Sequence, residues 1–98
     1  MYRLVRPQQH MQYYYVYILQ STSVSPWIYV GFSENLKKRL TEHNAGDSPS
    51  TKHYRPFQLI HFEAYANEKD AKRREQYLKT TKGKTTLRTM LKDYFSNQ

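Results

Sequence analysis

Two short apolar runs, Tyr15-Val16-Tyr17-Ile18-Leu19 and Ile28-Tyr29-Val30-Gly31, constrain this chain more than any other feature. Each is too short for a helix and rich in the aromatic and β-branched residues that favour strands. Between them lies the polar segment Ser21 to Pro26, which ends in a turn-forming proline. A connection that short joins neighbouring antiparallel strands, because a parallel crossover needs a dozen residues or more. The chain therefore begins its fold with a hairpin, Gln12 to Leu19 paired with Trp27 to Phe32. Period-2 alternation puts Tyr13, Tyr15 and Tyr17 on one face. It puts Tyr14, Val16 and Ile18 on the other, the expected core face.

The rest of the chain alternates helix and strand signals. Ser33 or Asn35 can cap a helix running to about Asn44, with Leu36 and Leu40 four apart on its buried stripe. Ala45-Gly46-Asp47 ends that helix, and Ser48 to Pro56 reads as a loop. Phe57 to Tyr65 is a third strand. Asn67 caps a second helix reaching about Thr80, with Asp70 placed favourably for the helix dipole. Gly83 is expected to break it. Thr85 to Phe95 then forms a third helix, with Leu87, Met90, Leu91 and Tyr94 on one face. The order ββαβαα describes an α+β domain, a small antiparallel or mixed three-stranded sheet flanked by helices. Residues 12–96 form one domain. Residues 1–11 read as a disordered arm or extension without the apolar stretch of a signal peptide.

Charge narrows the function. The 98 residues carry 16 Lys and Arg against 8 Asp and Glu, a formal charge of +8. Such an excess calls for a polyanionic partner. No apolar run approaches the roughly 20 residues of a membrane span, and no segment pairs a basic face with a broad apolar one, so nucleic acid is favoured over membrane. The chain has no cysteine, which excludes disulfides and thiolate metal sites and suits a reducing cytoplasm.

A few residues bring chemistry to that basic surface. Arg39 and His43 are four apart and so share a helix face, about 100° round from the leucine stripe where a cleft would be lined. An arginine there can hold a phosphate oxygen, and a histidine can move a proton near neutral pH. The alternative for this pair is a solvated helix face. Between Lys69 and Lys92 the only acids among many Lys and Arg are Asp70 and Glu75. An ionised Glu75 could hold one Mg²⁺ beside bound phosphates, since that ion keeps most of its waters. An ordinary ion pair with Lys79 is the other role open to it. Most of the ten tyrosines must serve packing or surface, but Tyr17 and Tyr29 can meet across the hairpin. Lys38, Lys52, Arg55, Lys72, Arg73, Lys79, Lys82 and Lys84 are candidate phosphate contacts, and Ser50, Thr51 and His53 could add neutral hydrogen bonds from the loop.

This set, Tyr15-Val16-Tyr17, Tyr29-Val30-Gly31, Arg39, His43 and Glu75, resembles the GIY-YIG nuclease superfamily over roughly Gln12 to Tyr94. Asn35-Leu36, Lys38-Arg39-Leu40, Glu42-His43-Asn44 and Arg55-Pro56 fit as well. It looks most like the small standalone bacterial members related to the UvrC-like nuclease domain of the bacterial excinuclease. The resemblance implies a phosphodiester hydrolase using one Mg²⁺ or Mn²⁺ on DNA, with RNA not excluded, in DNA repair or processing and with low sequence specificity. It implies that Tyr17 and Tyr29 position or deprotonate the attacking water and that Arg39 contacts the scissile phosphate. It also implies that His43 assists proton transfer and that Glu75 binds the metal. Three departures stand out. Tyr15 replaces the first glycine of the name, Phe32 and Ser33 stand where some relatives carry lysine, and no C-terminal asparagine has a clear match. A non-catalytic nucleic-acid-binding module on the same scaffold is the alternative, and monomer and homodimer both stay open.

Overall fold

A computed structural model describes residues 11–98. The expected N-terminal arm, apart from Met11, lies outside the described residues. Three strands, β1 (Tyr14–Ser21), β2 (Ile28–Ser33) and β3 (Phe57–Tyr65), form one antiparallel sheet in the order β2-β1-β3. The helices are α1 (Leu36–Ala45), α2 (Glu68–Leu78), α3 (Thr81–Met90) and α4 (Lys92–Ser96), with a 3-10 turn at Lys52–Tyr54 before β3. The α+β architecture read from the sequence is therefore present, with a wholly antiparallel sheet.

The central strand β1 is buried on both faces, contrary to the expectation of one core face. On one side Val16, Ile18 and Val30 pack with Ala71, Leu78 and Leu87 from α2 and α3. On the other, Tyr17, Leu19 and Phe57 pack with Leu36, Leu40, Trp27 and Tyr29 beside α1. Helices on both faces leave no solvent side for the centre of β1, so simple alternation fails there. A bulge between Ile18 and Leu19 in the β1–β3 register carries Leu59 and Phe57 to the α1 side, while His61 and Glu63 stay opposite Ile18 and Val16. Strand β1 also runs on to Ser21. Its polar end is satisfied there, with Ser21 N–H bonded to the Trp27 carbonyl and the Tyr94 hydroxyl donating to Gln20.

The helix ends follow capping chemistry. The Asn35 side chain accepts from Lys38 N–H, and Ser33 Oγ accepts from Asn35 N–H, so the two candidate caps act together. Gly46 ends α1 in the left-handed region at φ 83°, returning its N–H to the Glu42 and His43 carbonyls. Asn67 caps α2 as expected. The break after α2 comes earlier than expected. Thr80, not Gly83, separates the helices, because its hydroxyl accepts from Gly83 N–H and caps α3. Gly83 lies inside the first turn of α3, buried against the Tyr77 backbone where a side chain would have no room. The expected third helix is two, parted at Leu91, and Met90 is exposed (41%) while Leu87, expected on the same face, is buried.

Candidate active site

The β1–β2 register sets Tyr17 opposite Gly31 and Leu19 opposite Tyr29. The Tyr17 phenol lies over Gly31, and a Cβ there would overlap the ring. The Tyr17 hydroxyl lies 2.8 Å from His43 Nε2 on α1, and His43 Nδ1 lies 2.9 Å from Thr51 Oγ1 in the following loop. All three residues are buried, with Tyr17 and His43 at 2% exposure and Thr51 at 0%. The Tyr29 ring lies 6.2 Å from Tyr17 and 5.2 Å from His43, centroid to centroid. Three of the five residues singled out from the sequence thus form one cluster. Tyr29 is only half-buried, and its hydroxyl has no hydrogen-bond partner among the described residues.

Burial dictates the protonation of the cluster. It pushes the Tyr17 phenol far above its usual 10, with the nearby Tyr29 adding to the rise and Arg39 opposing it. Burial also lowers His43 from its usual 6.5, and the Arg39 charge lowers it further. At neutral pH the pair is a neutral phenol beside a neutral imidazole.

Arg39 stands one turn before His43, its side chain 44% exposed and its guanidinium 3.6 Å from Glu42 in a surface pair. It borders two adjoining clefts, one lined by Phe32, Ser33, Glu34, Asn35, Lys38 and Glu42, the other by Glu42, His43, Asp47, Ser48 and Pro49. Glu75 comes from α2, the helix packed with Val16 and Ile18 on the opposite face of the sheet. Its carboxylate pairs with Lys79 at 3.0 Å and is 14% exposed. It contributes to the rise of the Tyr17 phenol, but no hydrogen bond joins it to the tyrosine–histidine cluster among the described residues. The i,i+4 pair with Lys79, the plain alternative from the sequence, is present. No group of three or more His, Cys, Asp or Glu is placed to hold a metal among the described residues.

The candidate phosphate-binding cations divide by their partners. Lys72 pairs with Glu68 at 3.5 Å and stands 5.2 Å over the Phe32 ring, while Arg73 pairs with Asp70 at 3.0 Å. Lys38 lies 4.0 Å from Glu42. Arg55 donates to the Ala45 carbonyl at 3.0 Å, closing the end of α1 beside Gly46, which is a structural task. Lys52, Lys82 and Lys84 are exposed and form no ion pair among the described residues.

Sequence reasoning misses two features here. Thr51 reads only as a neutral loop donor, and nothing in the sequence marks it as the partner of His43. The second is a network on β3. Glu63 takes two bonds from Arg74, at 3.0 and 3.2 Å, one from the Tyr65 hydroxyl at 2.7 Å, and lies 3.2 Å from His61 Nε2. Burial alone would raise the Glu63 carboxyl, but these hydrogen bonds outweigh it and hold it below its usual 4.5. Partial burial and the hydrogen bond to Glu63 push the Tyr65 phenol up to about 12, against the opposing charge of Arg74. The network ties α2 to β3 at the residue next to Glu75. Its signal is the period-2 spacing of His61, Glu63 and Tyr65 on one strand face.

The family model for the GIY-YIG catalytic domain matches residues 13–88, and the chain belongs to the GIY-YIG family. Its relatives are small proteins of the UPF0213 group, whose names state no activity. The one from Haloquadratum walsbyi is 36% identical over 69 residues, 69% of this chain and 75% of its own length. That from Clostridium perfringens is 39% identical over 66 residues, 66% and 69% of the two chains. A third, from Staphylococcus haemolyticus, is 37% identical over 71 residues, 71% and 84%. No solved structure matches the chain significantly.

Proposed function

We propose that the protein is a divalent-metal-dependent endonuclease that hydrolyses phosphodiester bonds in DNA with low sequence specificity, in DNA repair or processing in the cytoplasm. The observation that carries this reading is the buried Tyr17–His43 hydrogen bond at 2.8 Å, with the half-buried Tyr29 ring near both residues and the exposed Arg39 one helix turn before His43. A buried phenol held against a neutral imidazole is an uncommon expense for packing alone, since polar groups in a core must all be satisfied. It is well suited to passing on a proton.

The roles follow from reach and partners. Arg39 is exposed enough to take a phosphate oxygen in its guanidinium fork and to offset charge as it builds on phosphorus. Tyr29, half-buried and with its hydroxyl unpartnered among the described residues, orients the attacking water. As that water loses its proton to Tyr17 Oη, the Tyr17 proton passes to His43 Nε2, leaving a neutral phenol and an imidazolium. Glu75 would hold Mg²⁺ or Mn²⁺, hard ions that accept a single protein carboxylate with water and phosphate oxygens, which fits the absence of any group of three or more His, Cys, Asp or Glu among the described residues. When bound, such an ion offsets charge on the phosphate and leaving oxygens. Lys52, Lys82 and Lys84, free of ion pairs among the described residues, hold the flanking backbone.

The Glu75–Lys79 ion pair, at 3.0 Å, also fits a module that binds DNA or RNA without cutting it. Glu75→Ala separates the two readings. It should abolish metal-dependent cleavage while DNA retardation on gels stays unchanged. Cleavage that survives in a preparation verified free of wild-type enzyme would defeat the metal assignment.

A further inference from the structure

His43 uses both ring nitrogens: Nε2 lies 2.8 Å from the Tyr17 hydroxyl and Nδ1 lies 2.9 Å from Thr51 Oγ1. Which nitrogen carries the hydrogen decides whether His43 accepts from Tyr17 or donates to it, and the surrounding hydrogen-bond network fixes that choice. Two arrangements exist. In the first, Thr51 donates to Nδ1, and Nε2–H donates to Tyr17. The Tyr17 hydroxyl hydrogen then has no acceptor among the described residues, although the side chain is only 2% exposed. In the second, Nδ1–H donates to Thr51, and the Thr51 hydroxyl points to the Ser48 carbonyl, 3.5 Å away. Nε2 is then the bare nitrogen and accepts the Tyr17 O–H. Only the second arrangement gives each of the three buried hydrogens a protein acceptor among the described residues, and it leaves a Tyr17 Oη lone pair for the attacking water.

We propose that Thr51 is a positioning residue that keeps the His43 proton on Nδ1, leaving Nε2 free to accept the Tyr17 proton. The position is built for this. Thr51 is wholly buried, and its backbone N–H bonds the Ser48 carbonyl at 3.1 Å, fixing the hydroxyl at the end of the loop that follows α1. The hydroxyl also stays in contact with Nδ1 when His43 becomes an imidazolium, accepting the hydrogen bond of the charged ring. The loop from Ser48 to Thr51 thus completes the cluster that β1 and α1 begin. The effect on cleavage rests on the nuclease reading; the tautomer does not.

The test is long-range ¹H–¹⁵N NMR of the imidazole nitrogens at neutral pH, with the His43 signals assigned by their loss in His43→Gln. Wild type and Thr51→Ser should show Nδ1 protonated and Nε2 bare. Thr51→Val, similar in shape but without the hydroxyl, should lose that fixed pattern, its two nitrogens moving toward the averaged positions of exchanging tautomers. Wild-type protein with the hydrogen on Nε2 would overturn the proposal, and this spectrum decides it even if Thr51→Val does not fold. A Thr51→Val spectrum unchanged from wild type would overturn the role of Thr51. In the cleavage assay, Thr51→Val should lower turnover by about 10- to 100-fold, by analogy with the loss on removing the hydrogen-bond partner that orients a metal-bound histidine, with KM little changed and Thr51→Ser restoring activity. Full turnover in Thr51→Val would overturn the catalytic consequence. If no form cuts DNA while the wild-type tautomer is as expected, the nuclease reading fails and the tautomer assignment stands.

Discussion

Gly31 has no side chain because the Tyr17 phenol fills the space where one would begin, and Gly31→Ala therefore probes the cluster directly. The new methyl overlaps the ring and must push it away from β2, and with it the hydroxyl that meets His43 at 2.8 Å. Overpacking a buried site costs about 1–3 kcal/mol. Replacing a strand glycine by alanine returns about 0.5–1 kcal/mol through the unfolded chain. The net expectation is a loss of about 1–2 kcal/mol, where each kcal/mol lowers the melting midpoint of a domain this size by roughly 4–8 °C. Urea denaturation measures the loss, and a double-mutant cycle traces its cause. Tyr17→Val alone is costly because it empties a buried aromatic site. Combined with Gly31→Ala it should cost less than the sum of the two, by about 0.5–3 kcal/mol, since the methyl then enters vacated space. A Gly31→Ala protein as stable as wild type, or strictly additive with Tyr17→Val, would refute the close approach of Tyr17 to β2.

Arg39→Ala should lower turnover by roughly 10²-fold or more through lost transition-state charge stabilisation, and an unchanged rate in single-turnover cleavage would remove Arg39 from the site. Lys82→Ala with Lys84→Ala should make the dependence of log affinity on log salt shallower by about one unit per lysine, read by fluorescence anisotropy, whereas Arg55→Ala should lower stability and leave the slope alone. Glu63 has a folded-state pKa below 4.5, so its stabilising contribution is present above that pH and is lost as the pH falls through and below it. Glu63→Gln should cost roughly 1–3 kcal/mol at neutral pH and flatten the acid limb of a denaturation series. His43, lowered from 6.5, acts in the same sense, with stability falling as the pH drops below that value, and His43→Gln should remove this component.

The sequence carried the architecture because the local signals agreed: β-rich runs around a polar turn, Asn35 and Asn67 at helix starts, and β3 bounded as expected at Phe57 and Tyr65. The meeting of Tyr17, Tyr29 and His43 was legible in part, because a hairpin register and an i,i+4 helix face are short-range rules. Burial on both faces of β1 was not, since alternation cannot count the layers packed on a sheet. The break at Thr80 was missed because Gly83 looks like a helix stop, whereas here it provides room for α3 to approach the Tyr77 backbone. Thr51 and the Glu63–Arg74 pair depend on where a loop and a helix land in space, and neighbouring residues do not encode that.

Conversion of supercoiled plasmid in Mg²⁺ or Mn²⁺, comparing wild type, Glu75→Ala and wild type with EDTA, decides whether this protein cuts DNA through a metal held by Glu75. A metal-dependent nuclease should give cutting by wild type alone, to nicked circles from a monomer or linear DNA from a dimer. Intact plasmid in every lane, with uncut nicked and branched DNA and salt-sensitive retardation preserved in all three samples, would contradict it and leave a binding module.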